Sequence, residues 1–330
     1  MLDLPTLLSS AISSSNATPT SSAAPNPNAT LNYASALDLN AHIRRLHGLY
    51  PESPLITSVE KQAEAAMKEM ATNLIASLKT SSLKLASAMR TISWLRRVAP
   101  ELDPSIATLT ASSITSPSGG ATREGSLGSL FLVCRLANLQ QTLEALEPLR
   151  ELADQETLRS RAGKVQGEKS KWEGGQQTEK YLKRYIEIFR EQSFSIISMY
   201  RSIFPPPNTT ANEQALLKSR GVKEEEDLLL PLPSPLSVFP LQLVGMLEET
   251  LQSYLPNVRD RGSRDSLLTQ VLYCAGSLGR LGGDFSLLLA SLSSSLTDVD
   301  EDDNEDWVEV TRKHRVLAGK LELMVGGRDG

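Results

Sequence analysis

Residues 180–204 read KYLKRYIEIFREQSFSIISMYRSIF, and this stretch decides the fold class. Its apolar residues recur at three- and four-residue steps, the spacing that places side chains on one face of an α-helix. The stripe is Leu182, Tyr185, Ile186, Phe189, Ile197, Tyr200 and Ile203. Three prolines follow at residues 205–207, and proline cannot continue a helix. The sequence therefore predicts a helix over residues 178–204.

Aromatic side chains of this helix lie on more than one of its faces, so neighbouring elements must cover it broadly. Such a helix lies at the centre of a bundle or at a contact with another subunit. The candidate core or interface residues are Tyr181, Tyr185, Phe189, Phe194, Ile197, Tyr200 and Phe204. We predict that these side chains pack rather than catalyse.

The helical spacing also occurs on the N-terminal side of this stretch. Its stripe is Ile56, Val59, Ala63, Met67, Met70, Leu74, Leu78, Leu85, Met89, Ile92 and Leu95. It predicts a helix pair or one bent rod over residues 55–98. A third long helix is predicted over residues 127–157, with a kink or restart at Pro148. A shorter helix is predicted from Asp38, a plausible N-cap, to Pro51.

Composition divides the chain into five segments. They are an N-terminal segment with a flexible Ser/Asn/Pro-rich insert (1–37), a middle helical bundle (38–204), a linker rich in proline and charge (205–239), a following helical bundle (240–295), and an acidic run with a short C-terminal helix (296–330). The insert covers residues 9–32, which carry no periodic apolar pattern. A polar stretch at 160–177 separates two helices of the middle bundle. The following bundle contains helices at about 240–255 and 264–294.

No part of the chain alternates apolar and polar residues with the period of two that marks a β-strand. Aromatic residues make up only 5% of the chain, which suits helices packed through leucine, isoleucine and alanine. The predicted fold class is therefore all-α.

The charge and the cysteine count exclude several classes of protein. The net charge of −5 gives no reason to expect a nucleic-acid partner, because phosphate binding needs clustered lysine and arginine. Cys134 and Cys274 lie in Leu-rich helical patterns, so we expect two small buried hydrophobic side chains and a reducing compartment. The N-terminus lacks the features of a signal peptide, and no stretch is apolar for long enough to span a membrane, so we expect a soluble chain.

No catalytic, cofactor or metal site is predicted. His42 and His47 are five residues apart, which is not the spacing that places two imidazoles on one metal ion, and His314 stands alone. The paired glycines lack the spacing of a phosphate-binding loop. An acidic run imitates a calcium-binding loop through Asp298, Asp300, Asp302, Asn304, Asp306 and Glu309. However, Asp303 occupies the position at which the sharp turn requires glycine, so a solvated acidic run is the better interpretation.

Two pairs of basic residues lie at the polar edges of helical stripes, Arg44–Arg45 and Arg96–Arg97. They could contact acidic lipid or a partner helix. Ordinary solvated surface is the more frequent role of such pairs.

Four blocks of the chain, in this order, carry a family resemblance. They are IRRLHGLYPESPLITSV (43–59), SLKTSSLKLASAMRTISWLRRV (77–98), KYLKRYIEIFREQSFSIISMYRSIF (180–204) and DSLLTQVLYCAGSLGRLGGDFSLLL (265–289). Together they resemble the family of the eighth subunit of the conserved oligomeric Golgi complex. Because each block is a generic amphipathic helix, the specificity of the resemblance lies in the detailed sequences of the four blocks and in their order.

The resemblance implies an elongated stack of helical bundles, as in multisubunit tethering complexes. It implies a non-enzymatic subunit that tethers vesicles in intra-Golgi retrograde transport and so supports retention of glycosylation enzymes. The implied partners are the other subunits of the complex, Rab-type GTPases and SNAREs. The implied location is the cytosolic face of the Golgi membrane and the cytoplasm, by peripheral association, without a cofactor.

Two features depart from the family pattern. The chain begins where the family would already be past its N-terminal coiled coil, and the resemblance is not clear beyond about residue 295. We therefore expect a chain truncated at both ends, with assembly affected by the missing coiled coil. The alternatives are another helical tether or adaptor, or a helical-bundle enzyme. A diiron enzyme of that kind needs Glu-x-x-His pairs, and no histidine here has glutamate three residues before it.

Overall fold

A computed structural model describes residues 3–15, 27–102, 125–166, 175–205, 235–258 and 260–281, together with residues 312 and 316. Within these residues all regular structure is helical, which confirms the all-α class. The α-helices are α1 (Leu4–Ser15), α2 (Pro27–Leu49), α3 (Pro54–Leu78), α4 (Leu85–Val98), α5 (Gly125–Glu144), α6 (Glu147–Gln166), α7 (Gln176–Ile203), α8 (Pro235–Tyr254) and α9 (Arg261–Arg280). Single 3₁₀ turns follow α4 and α8, at Pro100–Leu102 and Leu255–Asn257.

The chain forms two compact units, Met1–Cys134 and Arg135–Gly330, and the boundary falls inside α5. We call them the first and the second unit. The five segments inferred from composition remain a prediction.

In the first unit, α3 packs against α1, α2 and α4. Pro54 opens α3 because the first turn of a helix needs no N–H donor from that residue. The buried face of α3 runs from Ile56 to Leu78 and contains the part of the predicted stripe that lies in this helix. In α4 the stripe residues Ile92 and Leu95 are buried, whereas Leu85 and Met89 are exposed. Residues 79–84 interrupt the helices before α4 begins, so residues 55–98 form a helix pair rather than one bent rod.

The flexible insert was predicted wrongly at both of its ends. Residues 9–15 belong to α1, whose Leu8 and Ile12 are buried in a unit where α1 packs on α2 and α3. The helix expected to start at Asp38 begins at Pro27 instead, and Asp38 is an exposed residue inside it rather than its N-cap. Tertiary packing explains the presence of α1. Leu8 and Ile12 lie one turn apart and are buried in the first unit, although the segment is rich in serine. Residues 16–26 lie outside the described residues.

In the second unit, α7 packs against α6, α8 and α9. The restart expected at Pro148 is confirmed, because α5 ends at Glu144 and α6 begins at Glu147. Three boundaries differ from the prediction: α6 continues through Gln166 into the expected polar separator, α8 begins at Pro235 inside the expected linker, and α9 begins at Arg261. Asp260 caps α9, because its Oδ2 accepts a hydrogen bond of 2.8 Å from the Ser263 N–H.

Several sequence predictions fall outside the described residues. They are the calcium-loop imitation at 298–309, most of the short C-terminal helix and His314. The single helix expected over 264–294 is wrong at its C-terminal side, because α9 ends at Arg280 with Leu281 as its C-cap. Residues 282–294 lie outside the described residues. Cys134 and Cys274 are both buried and neither forms a disulfide, which confirms their interpretation as small buried hydrophobic side chains.

Candidate functional site

Six of the seven residues singled out from the sequence lie in helix α7, and the seventh, Phe204, is its C-cap. Six of the seven are buried. Their exposed fractions are 5% for Tyr181, 5% for Tyr185, and 0 to 3% for Phe189, Ile197, Tyr200 and Phe204. Phe194 differs, since 45% of it is exposed. The buried six face the helices that surround α7, whereas Phe194 lies on the outer surface.

Aromatic rings continue along the buried face of α7. The Tyr185 and Phe189 rings stack at an interplanar angle of 10°, with their centroids 6.3 Å apart. A second pair of rings lies at the C-terminal end of α7, where the ring centroids of Tyr200 and Phe204 are 4.9 Å apart. Such pairs stabilise a core beyond the area that they bury.

Glu156 of α6 holds the N-terminus of α7. Its Oε1 accepts a hydrogen bond of 2.7 Å from the Gly175 N–H, and its Oε2 accepts bonds of 2.9 Å from the N–H and the hydroxyl of Thr178. Gly175 has φ of 114°, a left-handed conformation that favours glycine. A carboxylate at this end also interacts favourably with the helix dipole. We call this arrangement the Glu156 clamp.

Two opposing effects set the pKa of Glu156. Partial burial raises the pKa, but the hydrogen bonds donated by Thr178, Gly175 and Gln177 lower it more, so that the pKa falls below its ordinary value of 4.5. A carboxyl group with a lowered pKa in the folded state stabilises the fold above its unfolded pKa. That contribution is lost as the pH falls through the folded pKa.

We expect Glu156→Gln to lower the free energy of unfolding of the second unit by about 1–2 kcal/mol at neutral pH, because hydrogen bonds to a charged acceptor are lost. The difference from the unsubstituted chain should shrink as the pH falls through the lowered pKa of Glu156, because the carboxylate is then protonated in the folded state as well. Urea unfolding followed by circular dichroism at several pH values measures this. Glu151→Gln, an exposed position on the same helix, is the matched control. An equal loss in both variants would contradict the clamp.

A cleft of about 500 Å³ lies beside the first two turns of α7, and residues of α5, α6, α7 and α8 line it. Its lining includes three tyrosines and three charged groups: Tyr181, Tyr185, Tyr254, Glu144, Arg150 and Glu249. All of them belong to the second unit. We call it the tyrosine cleft.

Hydrogen bonds and ring contacts hold the tyrosines of the cleft in place. The Tyr254 hydroxyl donates a bond of 2.8 Å to Asp154 Oδ1, and the Tyr185 hydroxyl donates one of 3.3 Å to the Met246 carbonyl. The rings of Tyr181 and Tyr254 meet edge to face, with their centroids 5.0 Å apart. Burial is the main cause that raises the pKa of Tyr181 to about 12, and it raises the pKa of Tyr185 and Tyr254 as well. At neutral pH the cleft therefore presents neutral phenols beside carboxylates.

Tyr181 and Tyr185 are among the residues singled out from the sequence, but the cleft itself was not predicted. Glu144, Arg150, Glu249 and Tyr254 come from three helices, and only packing brings them together. The position of Tyr254 two residues before Pro256, at the end of a helical stripe, is the feature that could have marked it in advance.

The described residues contain no group of three or more His, Cys, Asp or Glu side chains arranged to hold a metal ion. His42 is exposed, while Nδ1 of His47 lies 3.0 Å from Oε2 of Glu60 on α3. Among the helices of the described part, none combines the length and the apolar character that crossing a membrane requires.

The model of the Dor1-like family matches residues 1–181 and 171–309 of this chain. The expectation that the resemblance fades near residue 295 is therefore wrong, because the match continues to residue 309 and includes the acidic run.

Curated relatives share one name, conserved oligomeric Golgi complex subunit 8. The protein of Schizosaccharomyces pombe is 25% identical over 278 residues, which cover 80% of this chain and 60% of that protein. The protein of Drosophila melanogaster is 28% identical over 281 residues, covering 82% and 39% of the two chains. That of Homo sapiens is 25% identical over 267 residues, covering 78% and 32%. The chain thus spans 60% or less of the length of these relatives, and no solved structure matches it significantly.

Proposed function

The chain belongs to the Dor1-like family, and on this premise we propose that it acts as subunit 8 of a conserved oligomeric Golgi complex. In that role it tethers vesicles in intra-Golgi retrograde transport and supports retention of glycosylation enzymes. The observation that carries the proposal is the agreement among relatives. Proteins of a fungus, an insect and a mammal bear this one name and align with about four fifths of the chain.

The finer parts of the proposal follow from the same family. The chain is a non-enzymatic, peripheral component on the cytosolic face of the Golgi membrane. Its partners are the sister subunits, with Rab-type GTPases and SNAREs as further partners. Another helical tether or adaptor is the alternative, and the identity of the co-purifying proteins distinguishes the two.

Of the seven candidate core or interface residues, we assign Phe194 to a subunit contact. The other six are buried in the second unit. Phe194 lies on the outer face of α7, where Arg190 and Arg201 are also exposed. An exposed aromatic side chain among arginines has the composition of the residues that dominate binding energy at interfaces.

The test is affinity purification of the tagged chain from its native cells. We expect sister subunits to be recovered with the unsubstituted chain and with Leu158→Asp, which changes a still more accessible apolar residue of α6 that is 64% exposed. Phe194→Asp should reduce recovery by roughly tenfold or more, the effect of losing an interface anchor. Circular dichroism verifies that both variants fold.

Two outcomes would count against the proposal at different levels. If the sister subunits are absent even when the tagged protein is extended to the length of its relatives, the tethering function is wrong. If they are present and Phe194→Asp does not reduce their recovery, the function stands and the assignment of Phe194 is wrong.

A further inference from the structure

Helix α4 and the turn before it form the most concentrated positive region in the described part of the first unit. Residues 70–100 contain five basic residues and no acidic residue, although the whole chain has a net charge of −5. The basic residues are Lys79, Lys84, Arg90, Arg96 and Arg97. All are exposed except Arg96, which is half-buried.

The two faces of α4 differ in composition. Ala88, Ile92 and Leu95 are buried in the first unit, where α4 packs on α3. The opposite face carries Arg90 and Arg97 two turns apart, with Ser93 and Trp94 between them. Leu85 and Met89 lie one turn apart at the border between the two faces, next to Ile92, and are 39% and 48% exposed. The exposed surface of α4 therefore carries cations in its middle and apolar side chains along one edge, and we call it the α4 face.

The edge of this face is held in a fixed geometry. The guanidinium of Arg97 lies 5.3 Å from the centroid of the Trp94 ring, a cation–π distance. The Trp94 ring in turn contacts Tyr33 of α2, with the centroids 5.7 Å apart. Arg97 is thus positioned before any ligand binds, which reduces the entropy lost on binding.

One kind of partner matches both components of the α4 face. An anionic bilayer offers phosphates and carboxylates at its surface and an apolar layer directly beneath them. A basic amphipathic helix lying in that plane satisfies its cations and buries its apolar residues together. An acidic protein helix would satisfy Arg90 and Arg97 but would place carboxylates against Leu85 and Met89.

We propose that the α4 face binds the surface of bilayers rich in anionic phospholipid, with Leu85 and Met89 entering the headgroup layer. The inference rests on the proposed function, since a vesicle tether works at a membrane. It goes beyond that function because this chain itself, and not only a sister subunit, makes the lipid contact.

The test is flotation of the purified full chain with vesicles. Binding is expected to vesicles that contain phosphatidylserine and not to vesicles of phosphatidylcholine alone, and it should weaken as salt is raised. Arg90→Gln/Arg97→Gln should weaken binding by roughly 25-fold, because each basic side chain near an anionic surface contributes roughly fivefold in affinity. Arg159→Gln/Arg184→Gln, which removes the same charge from exposed positions of α6 and α7, should leave binding unchanged.

A fluorescent label locates the contact. A dye sensitive to its environment, attached through Met89→Cys, should shift to the blue on anionic vesicles, whereas the same dye attached through Leu158→Cys should not. The native cysteines are buried and should remain unlabelled in the folded chain.

Four results would overturn the inference. They are equal binding to vesicles of phosphatidylcholine alone, no binding to anionic vesicles, equal weakening by the two double substitutions, and equal shifts at the two labels. A soluble acidic polypeptide that binds the chain when anionic vesicles do not would identify a protein partner instead. Since no sister subunit is present, the result is independent of the purification experiment on the proposed function.

Discussion

Phe189→Ala is expected to lower the free energy of unfolding of the second unit by about 4 kcal/mol. Phe189 is 0% exposed and lies near the middle of α7, with its ring stacked on that of Tyr185. Removing a buried phenyl ring costs its transfer free energy and leaves a cavity that close-packed neighbours fill only in part. Because α7 contacts α6, α8 and α9, the loss should spread through the whole unit.

Phe194→Ala on the same helix is the matched control, since it makes the same chemical change at a position that is 45% exposed. Its effect should stay below about 1 kcal/mol. Urea unfolding followed by circular dichroism, with amide hydrogen exchange to localise the change, measures both. Similar losses in the two variants would show that α7 is not the centre of the unit.

Leu8→Ala is expected to lower the free energy of unfolding of the first unit by about 3 kcal/mol. Leu8 is 0% exposed, and α1 packs on both α2 and α3. If the serine-rich N-terminal segment did not pack on the rest of the unit, Leu8→Ala would not change the free energy of unfolding. The prediction therefore tests whether α1 is an integral part of the unit.

Leu7→Ala provides the control one residue away, because Leu7 is 54% exposed. We expect it to change stability by less than about 0.5 kcal/mol. Hydrogen exchange should show faster exchange in α2 and α3 for Leu8→Ala alone. No change in those helices would mean that α1 contributes nothing to the packing of the unit.

The long helices could be predicted because their apolar residues repeat over many turns. In α3 and α7 the stripe extends over at least six turns, so that no local exception hides the period. Helix α1 has only three turns, and its serines suggested a loop. Its apolar residues Leu8 and Ile12 are helical because they are covered, which is a tertiary effect that composition does not report.

The tyrosine cleft and the Glu156 clamp could not be predicted for a different reason. Glu156 looks like any exposed glutamate of a polar helix until α7 is placed beside it. Likewise Tyr254 and Asp154 are one hundred residues apart and meet only when α8 packs near α6. Pairing over such distances follows from the three-dimensional arrangement of helices and leaves no local periodicity.

The Glu156 clamp also bears on how this protein can be engineered and how it can diverge. It joins the start of α7 directly to α6, so we expect the connection between these two helices to tolerate insertions. Doubling the length of such a connection costs only about 0.6 kcal/mol of closure entropy. An epitope or fluorescent reporter inserted there would leave the aromatic helix in place, and related sequences are free to gain and lose residues at this point.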